Sequence, residues 1–329
     1  MTKPRSQLID LESTSYYHCI SRCVRRAFLW GEDHLTGRNY GHRKQWVIDR
    51  LSQLDDIFAI DICAYAVMSN HYHLVLRVDS ETAAHWSEDI VIDRWSRLFS
   101  IPLLIARYQK GNTSPAESNE ALKIINTWRE RLTSISWYMR SLNEHLARKA
   151  NQEDNCNGRF WEGRFKSQAL LDEAAVLTCM SYVDLNPIRA GIAQFPEDSD
   201  FTSIQQRIMA YQPQDKTRKQ PTDKKLIALV NFDKKAAHHP QAFAYGEQAY
   251  MVLVDWAGRA IRDDKRGFIP STAPPLLERL GIPAEQFLSQ MKKNSRKLSH
   301  ATALGCYKKL KTFATRTGRQ RVRGLAVSL

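Results

Sequence analysis

Apolar and polar positions in the first eighty residues follow the patterns of strands and of one helix. The run YYHCISRCV at 16–24 is rich in β-forming residues, and two further strand-like runs, at 58–68 and 71–78, are separated by a two-residue connection. Strand-like runs joined by so short a connection are typical of an antiparallel hairpin. Over 43–57, apolar residues recur every three or four positions, which predicts an amphipathic helix. The predicted order is therefore β-α-β-β.

Helical periodicity then dominates the chain from about residue 80 to residue 133, and we interpret 80–133 as a helical insertion. A further helix is predicted near 136–149 and a strand near 164–171. The next helix begins near residue 172 and ends at Asn186-Pro187, because the residue before a proline is disfavoured in helical geometry.

A polar, proline-containing segment at 212–225 has almost no apolar side chains, as is typical of an inter-domain linker. We place the linker at 212–240, between a catalytic domain at 1–211 and a basic, mainly helical extension at 241–329. Helical patterns near 244–262 and 274–298 support this description of the extension.

The chain is basic: 48 Lys and Arg against 35 Asp and Glu give a formal net charge of +13. Such an excess favours a polyanionic partner such as nucleic acid, without distinguishing DNA from RNA. The last 39 residues hold eleven of the cations and no acidic residue. In this tail we expect DNA contacts from Lys308, Lys309, Lys311, Arg319, Arg321 and Arg323. The alternative is a tail that packs on the catalytic domain or stays solvated.

Several classes of protein do not fit the sequence. No apolar stretch approaches the roughly 18–20 residues of a membrane-spanning helix, and the N-terminal residues lack the apolar core of a secretory signal. The six cysteines include no C-x-x-C pair, which argues against a disulfide framework and against a zinc knuckle. We therefore expect a cytoplasmic, nucleoid-associated protein with reduced thiols and no membrane partner.

The candidate chemistry begins with the motif Asn70-His71-Tyr72-His73-Leu74, which opens the second hairpin strand. Alternate side chains of a strand share a face, so the two histidines project to one side with Cα atoms roughly 6.5–7 Å apart. Two imidazoles at that separation can bind one divalent cation. Two strand histidines by themselves are more often surface or hydrogen-bonded residues, so a metal site needs a further ligand.

That ligand is offered about 110 residues later by the run YVDLNPIRAG at 182–191. On a helix, positions four apart lie on one face, so the Tyr182 phenol and the Asn186 carboxamide oxygen lie side by side. An oxygen ligand beside two histidines suits Mg²⁺ or Mn²⁺ better than a closed zinc site. The alternative is a core tyrosine followed by a helix-capping Asn-Pro.

Three motifs together, NHYHLVL at 70–76, GRFWEGRFKS at 158–167 and YVDLNPIRAG at 182–191, resemble the single-tyrosine HUH transposases, IS200-like, and in particular the REP-associated tyrosine transposases. The resemblance covers about residues 14–205, and LVDWAGRAIRDDKRG at 253–267 is similar to C-terminal extensions of longer relatives. It implies an α+β fold of the HUH nuclease type, with a ferredoxin-like antiparallel sheet flanked by helices. The β-α-β-β order agrees with this.

The resemblance also implies roles: Tyr182 as the nucleophile, and His71, His73 and Asn186 as ligands of Mg²⁺ or Mn²⁺. Attack of a phenol on a DNA phosphodiester gives a 5′-phosphotyrosine and a free 3′-OH, so that a later 3′-OH can reverse the step. The metal ion polarises the phosphoryl oxygen. The implied partner is a single-stranded DNA hairpin, with no nucleotide cofactor. Monomer and homodimer both stay open.

Four further cations are candidate DNA ligands. Arg159, Arg164 and Lys166 alternate with aromatic residues, as in sites that clamp phosphates and stack bases, and the alternative is a structural turn with a solvated basic edge. Arg189 either caps its helix or contacts a phosphate.

Two other functions stay open. One is a domesticated hairpin-binding protein without cleavage activity, which acts as a regulator or in an architectural role. The presence of the implied nucleophile and of all three implied metal ligands argues against a protein without cleavage activity. The other is an RNA-binding protein that uses the basic tail, for which no RNP-like aromatic motif is found.

Overall fold

The computed structural model describes residues 7–24, 37, 39–193, 195–211, 247–260, 302–318 and 324–326. Its strands are β1 (Tyr16–Arg22), β2 (Ile60–Val67), β3 (His71–Val78), β4 (Lys166–Leu170), β5 (Ala303–Gly305) and β6 (Gly324–Ala326). Its helices are α1 (Arg43–Asp55), α2 (Ser80–Ala84), α3 (Glu88–Ser96), α4 (Leu103–Gln109), α5 (Pro115–Leu132), α6 (Ile135–Glu153), α7 (Glu173–Asp184), α8 (Asn186–Arg189), α9 (Ser203–Tyr211), α10 (Glu247–Ala260) and α11 (Tyr307–Arg316). The fold is α+β, and the predicted β-α-β-β order is confirmed.

The strands form one six-stranded sheet in the order β2-β3-β1-β4-β5-β6. The first four strands pair in antiparallel fashion, whereas β5 joins β4 and β6 joins β5 in parallel. The sheet is therefore mixed, which corrects the expectation of a purely antiparallel one. A parallel neighbour requires a crossover connection, and here the chain between β4 and β5 passes through α7 to α10.

Helices cover both faces of the sheet, so that the core has two parts. Alternate residues of β1 and β3, including Tyr17, Tyr72 and Leu74, pack with α1 and α6 on one face. On the other face, Val75 belongs to a second cluster with residues of α7 and α10. Because both faces are buried, β3 reads as nearly continuous in apolar residues rather than alternating.

The insertion at 80–133 is helical, as predicted, and consists of α2 to α5. The sequence pattern indicates helices near 89–99 and 117–132, which correspond to α3 and α5, and it does not distinguish α2 or α4 as separate helices. α5 begins with a capping box between Ser114 and Glu117, which satisfies the exposed N–H groups of its first turn. Trp95 of α3 and Trp128 of α5 stack with ring centroids 5.1 Å apart and join the core on the α1 and α6 face.

The described parts of the extension pack on the sheet. Leu253 and Val254 of α10 lie in the core beside α7, and Leu304 of β5 and Phe313 of α11 are fully buried. The described part of the extension thus contributes two short strands, β5 and β6, as well as the helices α10 and α11. Deleting the residues after 290 would remove Leu304 and Phe313 from the core and expose their neighbours. Substitution of exposed tail residues is therefore a better test of the tail than truncation. The linker at 212–240 and the predicted helix at 274–298 lie outside the described residues, and the domain boundaries stay predictions.

Within the described ranges, no helix combines the length and the apolar character that crossing a bilayer requires. The six cysteines form no disulfide there, and four of them are buried. Apolar packing thus accounts for most of these thiols.

Candidate functional site

The two histidines of β3 stand on the sheet face that α7 covers. They flank Tyr72, whose side chain lies in the opposite core, and the ring centroids of His71 and His73 are 4.9 Å apart. On the neighbouring strand, Ile20 is paired with His73 and Arg22 with His71. The alternation of a strand therefore brings the two imidazoles side by side at one end of the sheet.

A third histidine, His18 of β1, lies beside them and was not recognised from the sequence. Its Nδ1 is 3.3 Å from the Gln168 Oε1, and its Nε2 is 2.9 Å from the His73 Nδ1. An amide oxygen can only accept, so the His18 Nδ1 donates and its Nε2 accepts from His73. This chain of hydrogen bonds fixes the tautomer of His73 and directs the lone pair to its Nε2.

His71 is held in a similar way: its Nδ1 is 2.6 Å from the Asn70 Oδ1 and donates to it, which again places the lone pair on Nε2. Burial lowers the pKa of His18 and that of His71 to about 4. Burial also lowers the pKa of His73 well below 6.5, and its histidine neighbours add to this. All three rings are therefore neutral near pH 7, which is the form that binds metal ions.

Tyr182 lies in the last turn of α7, against these rings. Its ring centroid is 5.8 Å from that of His73 and 6.2 Å from that of His18, both in edge contacts. The side chain is 6% exposed. Burial raises the pKa of its phenol above 10.0, and the charge of Arg189 lowers it. The tyrosine and the histidines of a single chain thus meet at one site.

Arg189 neither simply caps its helix nor projects into solvent. Its guanidinium carbon lies 4.7 Å from the centroid of the Tyr182 ring, a cation–π arrangement. Burial lowers the pKa of Arg189 to about 10, so the group is still a cation near neutral pH. A fixed positive charge over the phenol favours its phenolate form, which is the form that a nucleophilic role would require.

Asn186 follows Tyr182 by one helical turn, at the start of α8. Its Nδ2 donates to the carbonyl oxygens of Tyr182 at 3.1 Å and Val183 at 3.4 Å. α7 itself ends at Asp184, and the predicted stop at Asn186-Pro187 instead becomes the first turn of α8. Proline is tolerated there because N–H groups of a first turn have no intrahelical acceptor.

No group of three or more His, Cys, Asp and Glu side chains in the described parts of the chain is arranged to hold a metal ion. A metal site here would consist of the Nε2 atoms of His71 and His73 and the Oδ1 of Asn186. Imidazole nitrogen and amide oxygen are donor types that suit Mn²⁺ or Mg²⁺, and the orienting bonds of both Nδ1 atoms leave the Nε2 atoms as the imidazole donors.

The loop that carries Arg159 and Arg164 runs along the same end of the sheet. Its Glu162 N–H donates to the Arg22 carbonyl oxygen at 2.8 Å. Arg159, Arg164 and Lys166 are exposed, whereas Phe160 between them is buried in the core. The cations are thus placed at the histidine edge, but Phe160 is not presented for base stacking.

The lysines of the tail lie elsewhere. Lys308, Lys309 and Lys311 are exposed on α11, and the Lys309 Nζ donates to the Leu171 carbonyl oxygen at 3.0 Å. Leu171 lies just before the start of α7, and Tyr182 lies in the last turn of α7. The two residues are therefore about 15 Å apart along the axis of this helix. Arg319, Arg321 and Arg323 lie outside the described residues.

Sequence reasoning missed His18, Gln168 and Arg22. His18 lies two positions before Ile20 and so on the same face of β1 as the residue paired with His73. The β1–β3 register would have indicated His18 as a neighbour of His73, provided that the pairing of the two strands had been assumed. Gln168 is directly opposite His18 in β4, and the exposed Arg22 is opposite His71.

No family model matches the chain, and no curated protein matches it at a significant level. One solved structure shows similarity: a REP-associated tyrosine transposase bound to a REP hairpin, with 12% sequence identity and a TM-score of 0.38 over 65% of this chain and 89% of that one. A match at this level is a partial similarity in chain path and carries no information about activity.

Proposed function

We propose that the protein is a metal-dependent single-stranded DNA endonuclease and strand transferase, a DNA transposase of the tyrosine HUH type. It would cleave at or near hairpin elements through a 5′-phosphotyrosine. The observation that carries this proposal is the contact of the Tyr182 ring with the rings of His73 and His18. The contact places the phenol beside His73, a proposed metal ligand, and beside His18, which orients it, as a metal-assisted tyrosine nucleophile requires.

In this proposal each residue of the site has one task. The Tyr182 oxygen forms a bond to phosphorus, the bond to the 3′ oxygen breaks, and the 3′-OH leaves with a proton. His71, His73 and Asn186 would hold a divalent metal ion, which would supply Lewis-acid polarisation of the phosphoryl oxygen. His18 keeps His73 in the tautomer that presents Nε2, and Arg189 stabilises the phenolate.

The topology supports the proposal independently of the side chains. The antiparallel order β2-β3-β1-β4, built from a β-α-β-β unit followed by helices and β4, is the strand order of a ferredoxin-like sheet. The tyrosine helix α7 follows β4 directly and returns across the face that carries the histidines. The tyrosine lies beside histidines of the same chain, so cleavage as proposed does not require a second copy.

The direct test is to incubate the protein with labelled single-stranded DNA hairpins and Mn²⁺ or Mg²⁺, and to separate the products on a denaturing gel. We expect a covalent protein–DNA adduct and a shortened strand with a free 3′-OH, both abolished by EDTA. Hairpin binding without an adduct would instead support the domesticated binding protein. Preferential binding of the matching RNA hairpin, without cleavage, would support the RNA-binding alternative.

We expect the variant His18→Phe to lower the affinity for Mn²⁺ by about 10–100-fold, the range found when an orienting partner of a metal ligand is removed. Phenylalanine keeps a ring in the core but accepts no hydrogen bond from His73. Isothermal titration with Mn²⁺ measures the effect. His145→Phe, on α6 in the opposite layer, is the matched control, and an equal affinity in the two variants would contradict the role of His18.

The exposed lysines of α11 provide a test of the DNA-binding tail. We expect the double variant Lys308→Gln, Lys311→Gln to reduce the slope of log affinity against log salt concentration. The reduction in the magnitude of the slope should be up to about 1.4, since each single-strand phosphate contact contributes about 0.7. The cleavage rate at saturating DNA should stay unchanged, because α11 lies far from Tyr182. Lys123→Gln on the exposed face of α5 is the control. A slope equal to that of the control would show that α11 does not contact DNA.

A further inference from the structure

The last residue of α7, Asp184, is fully buried and lies at the centre of a polar cluster that the site does not use. Its Oδ1 accepts from the Ser203 hydroxyl and, at 3.0 Å, from the Ile204 N–H at the start of α9. Its Oδ2 accepts from the Tyr250 hydroxyl of α10 at 2.5 Å. Two elements that follow α7 in the chain thus hold its end through one carboxyl group.

α10 approaches this end of α7 closely. Gly258 lies over Leu185, and a Cβ atom at position 258 would be 3.1 Å from the Leu185 Cδ2. Tyr250 is fully buried, and the guanidinium carbon of Arg207 lies 5.9 Å from its ring centroid while the Arg207 Nη2 donates to the Cys63 carbonyl oxygen at 3.0 Å. The tyrosine is therefore fixed between α7, α9 and β2.

Tyr182 and Asp184 project from opposite sides of the same turn, because residues two positions apart in an α-helix differ by about 200° around its axis. Tyr182 faces the histidines of the sheet, and Asp184 faces α9 and α10. A helix held on both sides cannot rotate about its axis. This matters because a displacement of about 1 Å at a reacting atom can lower a rate by about a hundredfold.

We propose that Tyr250 is a positioning residue: through Asp184 it holds the last turn of α7, and with it the Tyr182 nucleophile and Asn186, in the reactive arrangement. This inference rests on the proposed function for its catalytic meaning. This role of Tyr250 makes α10, a helix of the extension, a necessary part of the site rather than a separate binding module.

The test compares Tyr250→Phe with Tyr17→Phe. Each substitution removes one hydroxyl and keeps a buried ring, but the Tyr17 hydroxyl donates to the Asp10 carbonyl oxygen at 2.8 Å, on the other face of the sheet. Hydrogen exchange is measured first, since it requires no activity. We expect amide exchange in residues 181–186 to become at least about tenfold faster in Tyr250→Phe than in the wild type, and unchanged in Tyr17→Phe.

The second measurement is the single-turnover rate of adduct formation at saturating hairpin DNA and Mn²⁺. We expect Tyr250→Phe to lower this rate at least tenfold while the Kd for the hairpin stays within twofold, and Tyr17→Phe to change neither. If Tyr250 acts through Asp184, its effect should largely disappear in an Asp184→Asn background, as a double-mutant cycle would show. A purely stabilising role would leave the rate unchanged at temperatures well below unfolding.

The outcomes separate the two proposals. Normal exchange in residues 181–186 of Tyr250→Phe, or an equal increase in Tyr17→Phe, would overturn the positioning role whether or not the protein cleaves DNA. A wild-type protein that forms no adduct, with the expected change in exchange, would overturn the proposed function alone. Should Tyr250→Phe not fold, Gly258→Ala offers a milder displacement of α10 with the same two measurements.

Discussion

Replacing Tyr182 with phenylalanine should abolish the covalent protein–DNA adduct and leave hairpin binding within a few fold of the wild type. The substitution removes the nucleophilic oxygen and retains the ring that packs against His73, His18 and Arg189. The histidine nitrogens would be occupied by the proposed metal ion, so we do not expect them to replace the phenol oxygen. A denaturing gel with labelled hairpin DNA measures the adduct, and a mobility-shift assay measures binding.

Among the other tyrosines, Tyr138 is the next candidate for the nucleophile. It is fully buried on α6, in edge contact with Phe58 in the core of the opposite layer. Burial also raises the pKa of its phenol well above 10.0. Tyr138→Phe should therefore form the adduct normally. An adduct that persists in Tyr182→Phe would show that the assignment of the nucleophile is wrong.

Removing either β3 histidine should have the next largest effect. We expect His71→Ala and His73→Ala each to lose divalent-ion binding and cleavage together, by more than the roughly 10–100-fold that an orienting residue contributes. Asn186→Ala should cause a milder loss, about tenfold, because a water molecule can replace a neutral oxygen ligand. The order of the three losses is as diagnostic as their size.

Mn²⁺ titration and single-turnover cleavage on the same preparations measure these effects, with hairpin binding in EDTA as the check that each variant folds. Excess Mn²⁺ should restore part of the activity of Asn186→Ala and little of that of the histidine variants. Unimpaired cleavage in His71→Ala or His73→Ala would exclude the metal site. A loss in Asn186→Ala as large as that in the histidine variants would mean that its helical hydrogen bonds, rather than its oxygen, are what matters.

Local pattern was sufficient to predict the parts of the fold that depend on local physics. The bounds of β3 follow from a strand-like apolar run set off by a two-residue connection, and the helical nature of 80–133 follows from period-3.6 hydrophobicity; the structure reproduces both. His71, His73 and Tyr182 could be singled out because their motifs are short and contiguous. β5, with three residues, is too short to show alternation, and its parallel pairing depends on an edge that only the folded sheet provides.

The residues that support the site could not be predicted in the same way. His18 meets His73 across 55 positions, and Tyr250 meets Asp184 across 66. A lone histidine in a strand, or a lone tyrosine in an amphipathic helix, has no local sequence pattern that distinguishes a residue supporting a functional site from an ordinary core residue. Their assignment depends on strand register and on the docking of α10, which are properties of the tertiary fold.

The place of β5 beside β4 has a consequence for synthesis on the ribosome. Asp172, which begins α7, accepts a hydrogen bond from the Cys306 N–H, 134 residues later in the chain. At about 5–20 residues per second, translation reaches Cys306 roughly 7–27 s after Asp172. Once residue 189 has been translated, the nascent chain carries every residue of the proposed metal and tyrosine site, yet β4 still lacks its neighbour β5. A DNA-cleaving protein built in this order would complete the sheet beside its tyrosine helix only after residue 306 has been translated.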